Sequence, residues 1–176
     1  ATRGCCHMRS RVSIDVVQYP RELLQQFYGG PVGNSYKDYE GKARMVHWHE
    51  IFNAMVDSAG ICRFASVFSS INAIDYNDIA NIVNAVCGLN LTNEDLKIIG
   101  ERIYTLERAY ITRLGISRKD DTLPDYYFDV PVPDGPSKGE CINRDKFQKM
   151  LDEYYKYHNW DNNGVPTPDT IKKLEL

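Results

Sequence analysis

The stretch Val56-Asp57-Ser58-Ala59-Gly60-Ile61-Cys62-Arg63-Phe64 places a carboxylate, a glycine and a thiol within six residues. A thiolate is an effective ligand for an iron–sulfur cluster, and such clusters take four. No other cysteine lies within twenty residues of Cys62, so the chain alone cannot complete a set. On local chemistry Cys62 reads as a small buried hydrophobe that follows a glycine bend.

Three further groups carry reactive side chains. In Cys5-Cys6-His7 the imidazole suits proton transfer near neutral pH, and Arg9 and Arg11 would suit an anionic ligand; the other reading is a frayed terminus. His47-Trp48-His49-Glu50 invites a metal, but residues two apart on a helix point about 200° apart and cannot share one ion. No second histidine follows at the spacing of the HExxH zinc motif, so His47 and His49 read as packing or interface residues. Asp161-Asn162-Asn163-Gly164 resembles half of a calcium loop but lacks the later acceptors and the bidentate glutamate. It reads as a turn.

Helices must position these groups. Apolar residues between 39 and 57 recur at three- and four-residue spacing and stop near Gly60. Asp75 is the expected N-cap of a helix ending at Gly88, and Thr92 of a longer one ending near Gly115. Asn143 caps a further helix through Tyr155, Thr167-Pro168 opens a short terminal one, and Pro20–Tyr28 forms another, closed by Gly29-Gly30. Residues 116–142 hold Pro124, Pro131, Pro133 and Pro136 and read as a long Pro/Gly-rich loop, with room for a short hairpin. The expectation is a mainly α, multi-helical single domain over 1–176.

Composition narrows the function. Hydrophobic residues make up 43% and charged residues 26% of 176, an ordinary globular balance. The net charge of −3 and the lack of a basic block exclude a nucleic-acid footprint. No apolar run nears the ~20 residues of a membrane span. Five scattered cysteines, an odd number, point away from a disulfide framework and toward a reducing, cytoplasmic setting. The chain opens at Ala1 inside a motif-like stretch and is expected to be a piece of something longer.

Taken together, these stretches resemble one family. Asp57, Gly60 and Cys62 match the D-x-x-G-L-C motif of the tungsten-containing aldehyde ferredoxin oxidoreductases, with Ile61 in place of leucine. GERIYTLERAYITRLGISRKDDTLP (100–124) is similar to that family's helix and R-x-D-D-x-L-P loop through Arg118, Asp120, Asp121, Leu123 and Pro124. The tail from Met150, with its tyrosine pair, Trp-Asp and Gly-x-Pro-Thr turn, resembles the family's C-terminal signature. RGCCHMR (3–9) looks like the start of its third, helical domain.

The resemblance implies a tungsten atom held by two pterins (a molybdopterin-type cofactor) beside a [4Fe–4S] cluster, in an enzyme that oxidises small aldehydes and passes electrons to ferredoxin. Residue by residue, it makes Cys62 the fourth cluster ligand and metal-binding residue. Asp57, Gly60, Ile61, Cys62 and Arg63 become the cofactor-binding loop, and His7 the candidate catalytic histidine. The C-x-x-C-x-x-x-C motif, the first pterin motif and the N-terminal β domain of the family are not in this sequence. The chain by itself is therefore expected to be colourless, metal-free and inactive, its partners being the N-terminal domains of a parent enzyme. Two alternatives stand beside this reading: a free-standing helical interaction module, and a reductase of aromatic acyl thioesters from the same superfamily.

Overall fold

Side-chain caps start four of the helices. Asp75 accepts from the backbone N–H groups of Asn77 and Asp78, and Asp78 returns a bond to Asp75. Thr92 and Asp95 make the same reciprocal pair. Asn143 accepts from the Lys146 N–H, and Thr167 from that of Thr170 with Pro168 in the first turn. Each such cap contributes about 1 kcal/mol by satisfying a donor that the helix leaves open.

The computed structural model describes residues 8–12, 19–35 and 37–176. Among them are seven α-helices: α1 (Arg21–Tyr28), α2 (Lys42–Ser58), α3 (Tyr76–Cys87), α4 (Asn93–Arg113), α5 (Tyr126–Asp129), α6 (Arg144–Tyr157) and α7 (Pro168–Lys173). Short 3-10 turns lie at Arg63–Ala65 and Arg118–Asp120. The described β structure is limited to two isolated bridges, Ser66 with Ile74 and Trp160 with Pro166. The chain is mainly α, as its periodicity implies.

α2 is the central element. From Ala43 to Val56 it buries residues on every side, which is the pattern of a helix surrounded by others. It packs on α4 and α6, with lighter contact to α1. Gly100 permits the α4 approach, since a Cβ there would stand 2.6 Å from the Ile51 carbonyl oxygen. Among the described residues three apolar clusters pack around α2. One joins Phe52, Met55 and Val56 to α3 and Leu96; a second joins Ala43 and Ile51 to Tyr104, Tyr155 and Trp160; a third gathers Leu24, Tyr28, Val32 and Met45.

A polar group interrupts this core. Glu50 is fully buried, and its carboxylate accepts from Ser10 and Tyr104 on one oxygen and Tyr154 on the other, at 2.5, 2.5 and 2.9 Å. His158 Nε2 stands 3.1 Å from that second oxygen. Burial pushes the Glu50 pKa up, but the bond and charge of His158 outweigh it and hold the group below its ordinary value.

Residues 116–142 are more structured than a plain loop. Besides the 3-10 turn and α5, Val132 N–H donates to Glu140 O and Gly139 N–H to Val132 O, both at 2.9 Å, which closes the loop on itself without forming paired strands. Arg118 anchors the loop to α6 through Gln148 and Asp152. Asp121 receives a fork from Arg108 at 3.0 and 2.5 Å and the Tyr155 hydroxyl at 2.5 Å. Among the described residues no helix is long and apolar enough to cross a membrane.

Candidate functional site

α2 gives way to the Asp57–Cys62 turn through a two-bond helix stop. Gly60 N–H donates to Asp57 O at 3.2 Å, and Ile61 N–H to Val56 O at 3.1 Å. This is the Schellman pattern, which needs a left-handed residue, and Gly60 supplies it at φ +69°. A Cβ on Gly60 would meet nothing within 4 Å, so the surface over it is open. Ile61 turns inward and packs on the cluster that contains Phe52, Met55 and Val56. That contact locks the stop and leaves the next residue facing out.

The next residue is Cys62, and its side chain is exposed. The local expectation of a buried small hydrophobe is therefore incorrect. The inward anchor is Ile61, and the thiol stands free at the surface. Arg63 then folds back over the turn. Its Nε donates to Asp57 Oδ1 at 2.9 Å and its Nη2 to Asp57 Oδ2, while Nη1 donates to the Met8 carbonyl at 2.9 Å.

That last bond brings the N-terminal segment to the loop. Asn53 donates to the Arg9 carbonyl at 3.0 Å, Arg9 reaches both carboxylate oxygens of Glu107 at 2.7 Å, and Ser10 bonds Glu50. Residues 8–10 are thus laid along α2 and α4. His7 lies outside the described residues, but its neighbour Met8 is tied to the Asp57 turn. Arg9 is committed to Glu107, so of the two arginines proposed for an anion it is already neutralised.

Sequence reasoning singled out Arg9 and Asp57 but not Asn53, Glu107 or the Arg63–Met8 bond that joins them. The available signal was that two stretches with reactive side chains, 5–11 and 57–63, flank the same helix. The other motif residues resolve plainly. His47 and His49 diverge as expected. His49 is buried against the Tyr28 hydroxyl at 2.8 Å, and burial lowers its pKa to about 3. His47 bonds Glu101 at 2.6 Å. Asp161 accepts from the N–H groups of Asn163 and Val165, closing the expected turn.

The loop fits a cluster that is completed by another surface. It offers one exposed thiol, open space above Gly60, and a carboxylate that keeps further lone pairs after two bonds to Arg63. Phe64, two residues past Cys62, is 67% exposed. Leu106, Tyr110 and Leu114 form a separate exposed apolar stripe at four-residue spacing along and just past α4. Apolar surface of this kind marks a contact face.

Comparison with known proteins gives a consistent set of likenesses. The family model described as "Aldehyde ferredoxin oxidoreductase, domains 2 & 3" matches residues 1–176. The tungsten-containing aldehyde ferredoxin oxidoreductase of Pyrococcus furiosus is 30% identical over 176 residues, covering 99% of this chain and 26% of that protein. The Thermococcus kodakarensis protein of the same name is also 30% identical over the same shares. The chain thus spans about a quarter of the length of these curated relatives. Among solved structures, the active site complex BamBC of benzoyl coenzyme A reductase, in complex with 1,5-dienoyl-CoA, matches with a TM-score of 0.68 at 24% identity. That match covers 91% of this chain and 24% of the other, and shows a shared fold.

Proposed function

The chain belongs to the aldehyde ferredoxin oxidoreductase family, and from that premise we propose that it is the C-terminal helical domain of a tungsten–pterin, iron–sulfur enzyme. The parent oxidises aldehydes to carboxylic acids and delivers the electrons to ferredoxin in the cytoplasm. When bound, the tungsten–pterin centre supplies a two-electron acceptor, and the [4Fe–4S] cluster relays those electrons singly.

This chain's residues contribute holding and proton handling. Cys62 supplies one thiolate to the cluster, and domains outside this chain supply the other three. Asp57, braced by Arg63, accepts hydrogen bonds from the pterin; Gly60 leaves its backbone open to close approach. His7, one residue before the Met8 carbonyl that Arg63 fixes, takes up a proton released when water adds its oxygen to the aldehyde carbon. Phe64 and the Leu106–Tyr110–Leu114 stripe offer apolar surface for the other domains to cover.

The observation that carries this reading is the exposed Cys62 thiol on a turn held rigid by Ile61 and Arg63. The relatives' shared name favours aldehydes as substrates. The likeness to the benzoyl coenzyme A reductase subunit supports a common fold only, so the acyl-thioester reading has less behind it. The test is Cys62→Ser in the full-length parent, read by electron paramagnetic resonance of the reduced protein. Loss or conversion of the cluster signal is expected; an unchanged signal rules out Cys62 as ligand.

A further inference from the structure

Away from the Cys62 loop, about three turns back along α2, three side chains from three helical elements converge. His47 projects from α2, Glu101 from α4, and His158 from the C-terminal end of α6. One ligand atom from each lies within 4.8 Å of the other two. His47 Nε2 is 2.6 Å from Glu101 Oε1, and His158 Nδ1 is 3.6 Å from Glu101 Oε2. Ligand atoms around a tetrahedral zinc stand about 3.3 Å apart, from bonds near 2.0 Å. The two measured separations, 2.6 and 3.6 Å, lie on either side of that spacing.

The state of His158 is the second, independent observation. Its side chain is fully buried, and among the described residues Nδ1 has no hydrogen-bond partner. Its other nitrogen faces Glu50, whose carboxylate is already accepting from Ser10, Tyr104 and Tyr154. An ionised carboxylate only accepts, so Nε2 donates to Glu50, while Nδ1, 3.6 Å from Glu101 Oε2, faces the Glu101–His47 pair and would release its proton as a cation binds. A carboxylate behind an imidazole, fixing its tautomer for a metal on the far nitrogen, is the usual support of a histidine ligand. Trp160 stacks on the His158 ring at 4.3 Å and Tyr157 on the His47 ring at 5.7 Å, so both rings are oriented before any ion arrives. Glu101 and His158 also line a cleft of about 850 Å³, which gives an entry path.

We propose that His47 Nε2, Glu101 and His158 Nδ1 form a site for one divalent late first-row cation of the zinc class, with its fourth position open to water in the cleft. Two imidazoles and one carboxylate are a borderline donor set that selects such ions over magnesium or calcium. The ion clasps α2, α4 and the end of α6, and is distinct from any metal held at Cys62.

The test is calorimetric titration of the 176-residue chain with Zn²⁺ after its thiols are alkylated, which removes Cys5, Cys6 and the exposed cysteines as competing ligands. One equivalent is expected to bind, with Co²⁺ giving visible absorption bands of low coordination number. Zinc at a hundredfold excess over Kd should raise Tm by roughly 5–10 °C. Removing His158 would leave buried Glu50 short of a donor and risks unfolding, so the informative variants are His47→Ala and Glu101→Gln at the half-buried positions. Each should weaken Zn²⁺ binding at least tenfold while keeping the helical circular dichroism. If alkylated wild-type chain binds no Zn²⁺, a proton fills the place between His158 and Glu101, and the site is overturned. Unchanged affinity in either variant overturns it as well.

Discussion

Arg63 grips Asp57 from across the turn that carries Cys62, with its Nε 2.9 Å from one carboxylate oxygen and its Nη2 on the other. The remaining nitrogen of the same guanidinium holds the Met8 carbonyl. One side chain therefore sets both the turn and the approach of the N-terminal segment. Arg63→Ala should cost about 1–2 kcal/mol, because solvent screens the pair at Asp57, 44% exposed, while the Arg63 side chain, 15% exposed, also loses its bond to Met8. In the full-length parent the same change should lower iron content and cluster signal, and Arg63→Lys should restore little, since an ammonium cannot make the fork. Iron per protein and urea unfolding measure the two effects separately. Full iron loading in Arg63→Ala would mean that the brace is not needed.

Gly60 and Gly100 separate two reasons for a glycine. Gly60 stands at φ +69° with open space around it, so Gly60→Ala should cost about 1–2 kcal/mol through backbone strain alone. Gly60→Asn should recover part of that, because asparagine tolerates the left-handed region better. Urea midpoints of the three proteins give the comparison. Equal stability of Ala and Gly would show that the turn relaxes.

Gly100 has ordinary helical backbone, and its constraint is steric. A methyl group there would meet the Ile51 carbonyl oxygen at 2.6 Å and the Ile51 side chain at 2.7 Å. Alanine gains about 1 kcal/mol in helix propensity at such a position, but forcing α4 off α2 costs about 1–3 kcal/mol across a packed core. Gly100→Ala should therefore come out neutral to destabilising, and Gly100→Val clearly destabilising. A net gain of stability in Gly100→Ala would show that the two helices part freely.

Local rules recovered most of the helices because their start and stop signals are short-range. Asp75, Thr92, Asn143 and Thr167 cap where their residue types say they should, and Gly29 and Gly88 stop helices in the left-handed region. α5 escaped because four residues between prolines carry no usable period. The burial of Cys62 was misjudged for a related reason. A sequence shows that a cysteine follows a glycine, but not that Ile61 takes the inward place and leaves the thiol outside. His158 escaped as well. Glu50 and Glu101 lie 108 and 57 residues before it, and nothing local in Tyr-His-Asn-Trp signals that three helices meet at one imidazole.

Arg108 and Asp121 provide the last test, in pH. Burial pushes the Asp121 carboxyl up, but the Arg108 guanidinium and the Tyr155 hydroxyl outweigh it and hold the pKa below the ordinary value. Unfolded, the group titrates near ~3.9. As pH falls toward that value the unfolded chain takes up a proton first, so folding loses its advantage. The contribution is fully present above the unfolded pKa and disappears as pH falls through the lowered folded one. Asp121→Asn removes the titration and leaves the Arg108 guanidinium, 1% exposed, without its charge partner. At pH 7 this should cost about 3–5 kcal/mol. The gap between wild type and variant should then narrow steadily from about pH 5 downward, as the wild-type carboxyl protonates and loses the same partner. Urea unfolding free energies across that range measure the gap. A gap that stays constant to the acid limit would mean that the Arg108–Asp121 fork adds nothing through its charge, and that the cost of the variant is one of shape.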